Sequence, residues 1–289
     1  MSRIAIIGGG NMGEALLSGL LRAGRPVKDL VVSEKSPERS EYLSRTYGVR
    51  LASVSDAVEN VGFVILAVKP HDIDPVIAGI ADTAARAEGH AAEQVLVSVV
   101  AGVSTGHYEA RLPAGFPVIR VMPNAPALVG AGVSALSAGR FASPEQLAEV
   151  SELFESVGSA LVVPEDQIDT VTAVSGSGPA YYFLFLEALV DAAVANGLTR
   201  GLATDLAVNT MAGSAAMVLE RLDEARKGTA GAAGRPDTTA TELRALVTSP
   251  GGTTAAGLRE LERGGMRVAV AAAVEAAKTR SEQLGTTYE

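Results

Sequence analysis

The 289-residue chain carries 24 Lys and Arg against 33 Asp and Glu, a formal net charge of −9; nucleic acid is thereby excluded as the main partner, because neutralising phosphates needs clustered cations. It has no Cys, which removes disulfides, thiolate catalysis and Cys-ligated zinc, and His71, His90 and His107 lack metal-site spacing, so no metal is expected. Hydrophobic residues make up 47% and aromatics 4%, so Ala, Val, Leu and Gly must fill a core large enough for one large domain or two ordinary ones.

The first predicted strand, residues 4–7, meets three glycines at once, too soon for a signal peptide. No run of about 18 apolar residues is free of polar breaks. The expectation is a cytoplasmic protein with no membrane span.

Short apolar runs at 4–7, 30–32, 63–68, 95–99, 118–121 and 160–163 read as strands, with a further strand at 130–137. Several are apolar at consecutive positions, as in strands covered on both faces. Helical patterns at 12–23, 38–47 and 144–155 separate them. This alternation predicts an α/β, doubly wound parallel sheet. After Pro164 strand patterns give way to helical periodicity at 179–196, 202–221, 240–246, 252–263 and 266–284. The boundary is placed near residues 164–166, giving a dinucleotide-binding domain at 1–164 and an all-α domain at 165–289. The Gly-, Ala- and Thr-rich stretch 227–239 reads as a mobile connector between helices. Small apolar residues such as Ala269, Ala271 and Ala272 permit close helix approach, within one chain or between two.

The glycines fit G-x-G-x-x-G between a strand and a helix, the context that a Rossmann-like dinucleotide fingerprint requires. Gly8 permits the tight turn, Gly10 lets a pyrophosphate approach the backbone, and Gly13 lets the helix pack on the sheet. Asn11 and Met12 open the helix, whose free N–H groups face the anion. A structural glycine turn is the plainer alternative. At the end of the second strand, Glu34 can accept the ribose hydroxyls and favour NADH, while Lys35 and Ser36 can hold a 2′-phosphate and favour NADPH. These signals oppose each other, and Lys35 alone could equally be a solvated surface charge. Ala67, Val68, Lys69 and Pro70 close one apolar strand and Ala101 follows the next; ligands of open α/β sheets lie beyond such carboxyl ends. Asn124 is a further candidate for the nicotinamide region. Arg120 reads as a structural ion-pair partner, and His71 as a loop or capping residue rather than a proton donor.

These pieces resemble the pyrroline-5-carboxylate reductase family over nearly the whole chain. The resemblance rests on IGGGNMG at 7–13, AVKP at 67–70, AVSGSGPAY at 173–181 and, most specifically, VTSPGGTTAAGL at 247–258. It implies transfer of a hydride from NADPH or NADH to the imine carbon of 1-pyrroline-5-carboxylate, giving L-proline, with a lean towards NADPH. It implies that Ser175, Gly176 and Ser177 lie near substrate and nicotinamide. It places Ser249, Gly251, Gly252, Thr253 and Thr254 in the imino-acid pocket. There Ser249 can donate to the carboxylate, and Thr254 is the candidate catalytic hydroxyl, bonding the ring nitrogen. The family also implies a homodimer formed through the C-terminal helices, with a larger ring such as a decamer as a further possibility.

Relatives often carry a His-Pro pair and a short connector before the last motif. Here Thr239-Ala240 follows an extended segment, so contacts made by that connector are in doubt. A similar Gly-rich turn in a related dehydrogenase family precedes a catalytic Lys, whereas this chain continues YYFLFLEALVDAAV without one. The competing readings are a dehydrogenase or imine reductase for another small acid, and a non-catalytic dinucleotide sensor. A further competing reading of TSPGGTT is a helix cap formed by Thr248 or Ser249, with Pro250 early in the helix.

Overall fold

The computed structural model describes residues 2–86, 94–228 and 237–285, with backbone alone at 226–228. His90 and residues 229–236 of the expected connector lie outside the described residues. By packing, the chain forms two compact units: Met1–Pro179 with Ala273–Glu289, and Ala180–Ala272.

The first unit is built on an eight-stranded sheet: β1 (Ile4–Ile7), β2 (Leu30–Ser33), β3 (Arg50–Leu51), β4 (Phe63–Leu66), β5 (Val95–Ser98), β6 (Val118–Met122), β7 (Gly132–Ala138) and β8 (Gly158–Val162). Their spatial order is β3-β2-β1-β4-β5-β6-β7-β8. The order reverses beside β1, whose neighbours β2 and β4 both run parallel to it. One pairing departs from the expected all-parallel sheet. β7 runs antiparallel to β6, with Ile119 opposite Ala138, while β8 returns parallel to β7. Only nine residues separate β6 from β7, too few for the crossover helix that a parallel pairing needs.

Period-2 side-chain alternation explains why the inner strands are apolar throughout. Ile4 and Ile6 enter one core layer with Leu16, Leu17 and Leu20 of α1 (Asn11–Arg22), Leu43 of α2 (Pro37–Tyr47) and Phe154 of α6 (Pro144–Glu155). Ala5 and Ile7 enter the opposite layer with Ile73, Ile77 and Ile80 of α4 (Ile73–Arg86) and Ala57 of α3 (Val54–Val58). Tyr108 of α5 (Thr105–Glu109) also lies in this layer. Each fully buried Leu or Ile contributes about 1.5–3 kcal/mol, so the two layers dominate the stability of this unit. α6 is closed at its start by a reciprocal capping box between Ser143 and Gln146.

After β8 the described residues contain no further strand. α7 (Ile168–Val171) runs into a π-helical turn, Thr172–Gly176, before α8 (Gly178–Ala195). The helical unit continues with α9 (Arg200–Gly228), α10 (Thr239–Leu246) and α11 (Thr253–Arg263). α12 (Met266–Gly285) starts among its residues and ends among those of the first unit. The helical unit's own buried core is small, centred on Val190 of α8 and Ala203 and Ala207 of α9. Large apolar side chains stand in the open on α8, with Tyr182 and Phe183 each 64% and Leu184 67% exposed.

Two stretches, Glu165–Ala195 and Arg200–Ala225, are long and apolar enough to cross a membrane, with only 11% of each apolar window buried. The absence of spans expected from the sequence therefore does not hold as a statement of length and composition. Small residues and Leu raise the mean hydropathy of these helices despite scattered polar positions.

Candidate functional site

The turn after β1 is seated between its neighbouring strands. The Gly8 amide donates to Ser33 O and the Ala67 amide to Ile7 O, both at 2.8 Å. Its glycines serve different ends. Gly8 has φ +104°, and an added Cβ would stand 2.4 Å from Ala67 O; at Gly13 it would stand 1.9 Å from Gly8 O. At Gly10 it would meet nothing within 4 Å. Gly10 is also the N-cap of α1, with no side-chain cap bond. The N–H groups of Asn11, Met12 and Gly13 therefore have no intrahelical acceptor. This is an open cradle of backbone donors at the positive end of a helix dipole.

Charged side chains brace the cradle from behind. Glu34, just past β2, accepts the Gly9 amide at 2.7 Å on one carboxylate oxygen and the Ser36 amide at 2.8 Å on the other. Ser36 in turn caps α2 through the Arg39 amide. Arg39 donates from Nε to Gly9 O at 2.6 Å and pairs with Glu14, which also accepts from Tyr42 and Tyr47. Burial would raise the Glu14 carboxyl, but the bonds from Tyr47, Arg39 and Tyr42 outweigh it and hold the group below its ordinary range. Burial and the bond to Glu14 push the Tyr47 hydroxyl up to about 12.

On the other flank of β1, the segment Ala67, Val68, Lys69 and Pro70 leads from β4 into a short helical turn, Pro70–Asp72. Ala67 and Val68 are half-buried and Lys69 is exposed. Lys35 Nζ reaches across to both Asp72 carboxylate oxygens at 2.8 Å. His71 is exposed, 3.5 Å from Asp72. Ala101 follows β5 and is half-buried.

Asn124, after β6, is buried, and its amide is engaged on both sides. Nδ2 donates to Ser175 O at 3.1 Å, and Oδ1 accepts the Val133 amide at 2.9 Å. Ser175 Oγ donates to Val171 O, and the Ser177 amide to Thr172 O at 2.8 Å. The widened turn that results brings Ser175, Gly176 and Ser177 together, half-buried, and a Cβ on Gly176 would stand 2.7 Å from Met122 Cε. π-turns inside helices concentrate at functional sites. Arg120 forms the structural ion pair: its buried guanidinium lies 3.4 Å from Glu165 and 4.0 Å from Asp169. Glu165 also accepts from Thr105, and Asp169 from Ser281 Oγ at 2.6 Å.

The second candidate element lies in the helical unit. Thr248 Oγ1 closes α10 by donating to Arg244 O at 2.6 Å, so it does not cap α11. Gly251 has φ +71°, a left-handed step that reverses the chain, and a Cβ on Gly252 would stand 2.4 Å from Ser249 Oγ. The N-cap of α11 is Gly252, without a side-chain cap bond, and Pro250 stays in the turn. The amides of Thr253, Thr254 and Ala255 thus point out of the helix start without intrahelical acceptors. Thr253 and Thr254 are exposed.

Arg39, Glu14 and Asp72 escaped the sequence reading. Each acts through a partner 25 to 37 positions away, and only Glu14, one residue beyond the glycine pattern, carries any local signal.

Residues 165–284 match the family model described as pyrroline-5-carboxylate reductase dimerisation, and residues 3–102 one described as NADP oxidoreductase, coenzyme F420-dependent. The pyrroline-5-carboxylate reductase of Mycobacterium tuberculosis H37Rv is 65% identical over 291 residues, covering 100% of this chain and 99% of the relative. That of Mycobacterium leprae is 61% identical over the same shares. Among solved structures, the pyrroline-5-carboxylate reductase of Coxiella burnetii superposes with a TM-score of 0.86 at 33% identity, over 98% of both chains. The Plasmodium falciparum pyrroline carboxylate reductase with NADP bound gives 0.81 at 29% identity, again over 98% of both.

Proposed function

The chain belongs to the pyrroline-5-carboxylate reductase family, and we propose that it uses NADPH or NADH to reduce 1-pyrroline-5-carboxylate to L-proline, the last step of proline synthesis. The observation that carries the proposal is the start of α11. A left-handed glycine, a glycine cap without a side-chain bond and two exposed threonines leave backbone amides and hydroxyls turned outward, with no charged residue among them. A helix start of this kind suits a small carboxylate.

The open cradle at Gly10 and the uncapped start of α1 fit a pyrophosphate. In this reading Gly8, Gly10, Asn11, Met12 and Gly13 hold the dinucleotide backbone. Glu34, Lys35 and Ser36 face the adenosine ribose; Ala67, Val68, Lys69, Pro70, Ala101 and Asn124 border the nicotinamide half. When bound, the nicotinamide supplies the hydride that the imine carbon accepts. The protein's part is orientation, because two reactants held at near-attack geometry need no strong general acid once the imine nitrogen is protonated. Ser249 and the α11 amides hold the substrate carboxylate. Thr254 bonds the ring nitrogen, accepting from an iminium N–H or donating to a neutral nitrogen by rotating its own proton. Ser175, Gly176 and Ser177, kept in place by Asn124, offer further hydroxyl and backbone groups to the reactants.

Residues 1–164 act as the dinucleotide-binding domain and 165–289 as the substrate-binding and dimerisation domain. The exposed apolar faces of α8, α9 and α12 are covered by a second copy of the chain rather than by lipid, and dimers can close into a ring such as a decamer. The protein works in the cytoplasm. Incubating purified protein with 1-pyrroline-5-carboxylate and NADPH or NADH, and detecting proline by mass, tests the proposal. Cofactor oxidation without proline, or no turnover with either cofactor, rejects it.

A further inference from the structure

We propose that Asp72 is a specificity-determining residue: it holds Lys35 in an ion pair that a 2′-phosphate must displace, and so restrains the preference for NADPH over NADH. The inference rests on the cofactor reading above.

Three observations carry it. First, Lys35 and Asp72 link the loops that follow β2 and β4, the two strands flanking β1 and its glycine turn. Lys35 Nζ is 2.8 Å from both carboxylate oxygens of Asp72. The pair therefore lies at the carboxyl ends of the two strands on either side of β1, where a Rossmann-like sheet receives the adenosine ribose.

Second, the charged side chains nearest Lys35 on the β2 side, Glu34 and Arg39, are committed to the turn itself. Both Glu34 oxygens accept backbone amides, from Gly9 and Ser36. Arg39 is bound to Gly9 O and to Glu14. Lys35 differs: its side chain is 73% exposed, against 25% for Asp72. A lysine on a flexible stem can swing from one anion to another, whereas a guanidinium bonded on two sides cannot do so without opening the glycine turn.

Third, Asp72 sits among positive groups. The bond from Lys35 holds its carboxyl below the ordinary range, helped by the charges of Lys35, His71 and Lys69. A phosphate dianion arriving beside Lys35 would meet a site already supplied with its own counter-ion. An exposed ion pair of this kind contributes little to stability, so its loss leaves the fold intact. Its effect falls on the anion that competes for the lysine.

The test uses direct binding, with no turnover required. Adenosine 2′,5′-bisphosphate and adenosine 5′-monophosphate are titrated by calorimetry into the wild-type protein and into Asp72→Asn. The variant is expected to bind the bisphosphate about two- to fivefold more tightly, an exposed pair's worth converted to affinity, with the monophosphate unchanged. In a Lys35→Ala background the gain from Asp72→Asn falls to less than half. Raised salt shrinks the gain in the wild-type background. An unchanged ratio of the two affinities in Asp72→Asn overturns the proposal while leaving the cofactor reading intact. A gain that persists in full without Lys35 overturns it as well, since Asp72 would then act by repulsion alone. Failure of both nucleotides to bind the wild-type protein overturns the cofactor reading and the proposal with it.

Discussion

The side-chain amide of Asn124 joins the strand end at Val133 to the π-turn at Ser175, accepting at 2.9 Å from one and donating at 3.1 Å to the other. Asn124→Asp keeps the acceptor and turns a carboxylate oxygen towards the Ser175 carbonyl. The loss of that bond is expected to cost about 1–3 kcal/mol in urea unfolding. In steady-state kinetics kcat should fall more than KM rises, because the turn shifts without losing its hydroxyls. A variant as stable and active as the parent would mean that Asn124 does not hold the turn.

Gly8 and Gly10 separate structure from binding. Gly10→Val places its Cβ where no atom beyond the chain neighbours lies within 4 Å, at an ordinary negative φ. It should fold normally and lose at least tenfold in dinucleotide affinity, by fluorescence titration. Gly8→Ala combines φ +104° with a contact to Ala67 O, and should lose about 1–3 kcal/mol of stability. Undiminished affinity in folded Gly10→Val would place the cofactor elsewhere.

Thr254→Val removes a hydroxyl while keeping the shape of the side chain. Losing one oriented hydrogen bond to the ring nitrogen is expected to lower kcat/KM about 10–100-fold, equivalent to about 1–3 kcal/mol. Thr253→Val should do less, since adjacent residues point to different sides of the helix. The reverse order in kinetics on both folded variants would assign the chemistry to Thr253. No effect from either would reduce the turn to a structural element.

The Glu14 cluster predicts opposite pH limits. The Glu14 carboxyl is held below its ordinary 4.5 in the folded chain. It therefore contributes stability above that value, and the contribution is lost as pH falls through the lower folded value. The Tyr47 hydroxyl is raised from 10.0 to about 12, so its contribution is present below pH 10 and lost as pH rises towards about 12. Glu14→Gln should flatten the acid limb of a stability-versus-pH curve measured by urea unfolding. A limb of unchanged slope would show that the cluster is not coupled to folding.

Assembly is the expected fate of the apolar face of α8. Phe183, 64% exposed in the isolated chain, should be covered by a second copy. Phe183→Arg is expected to shift the protein towards monomer in light scattering and to lower activity with it. An active wild-type monomer at assay concentration would refute the dimer.

The family was legible in short motifs because they specify backbone conformation locally: glycines at tight approaches, a proline or glycine at helix starts. The inner strands were legible for the same local reason, since Ile4–Ile7 and Phe63–Leu66 are apolar on both faces and need two covering layers. Helix α4 is absent from the sequence reading although Ile73, Ile77, Ile80 and Ala84 have helical spacing; its Pro75 lies in the first turn, where proline is tolerated. The two-residue β3 is too short to carry any period.

Sequence by itself determined the inner strands, most of the longer helices and where glycine is needed, because periodicity and steric demand act over a few neighbouring residues. Tertiary structure decided the antiparallel turn of β7 and the partners of Glu34, Lys35, Arg39 and Asn124. Apart from the local bond between Glu34 and the Ser36 amide, those bonds join groups 9 to 51 positions apart, brought together only when strands distant in the chain become neighbours in the sheet.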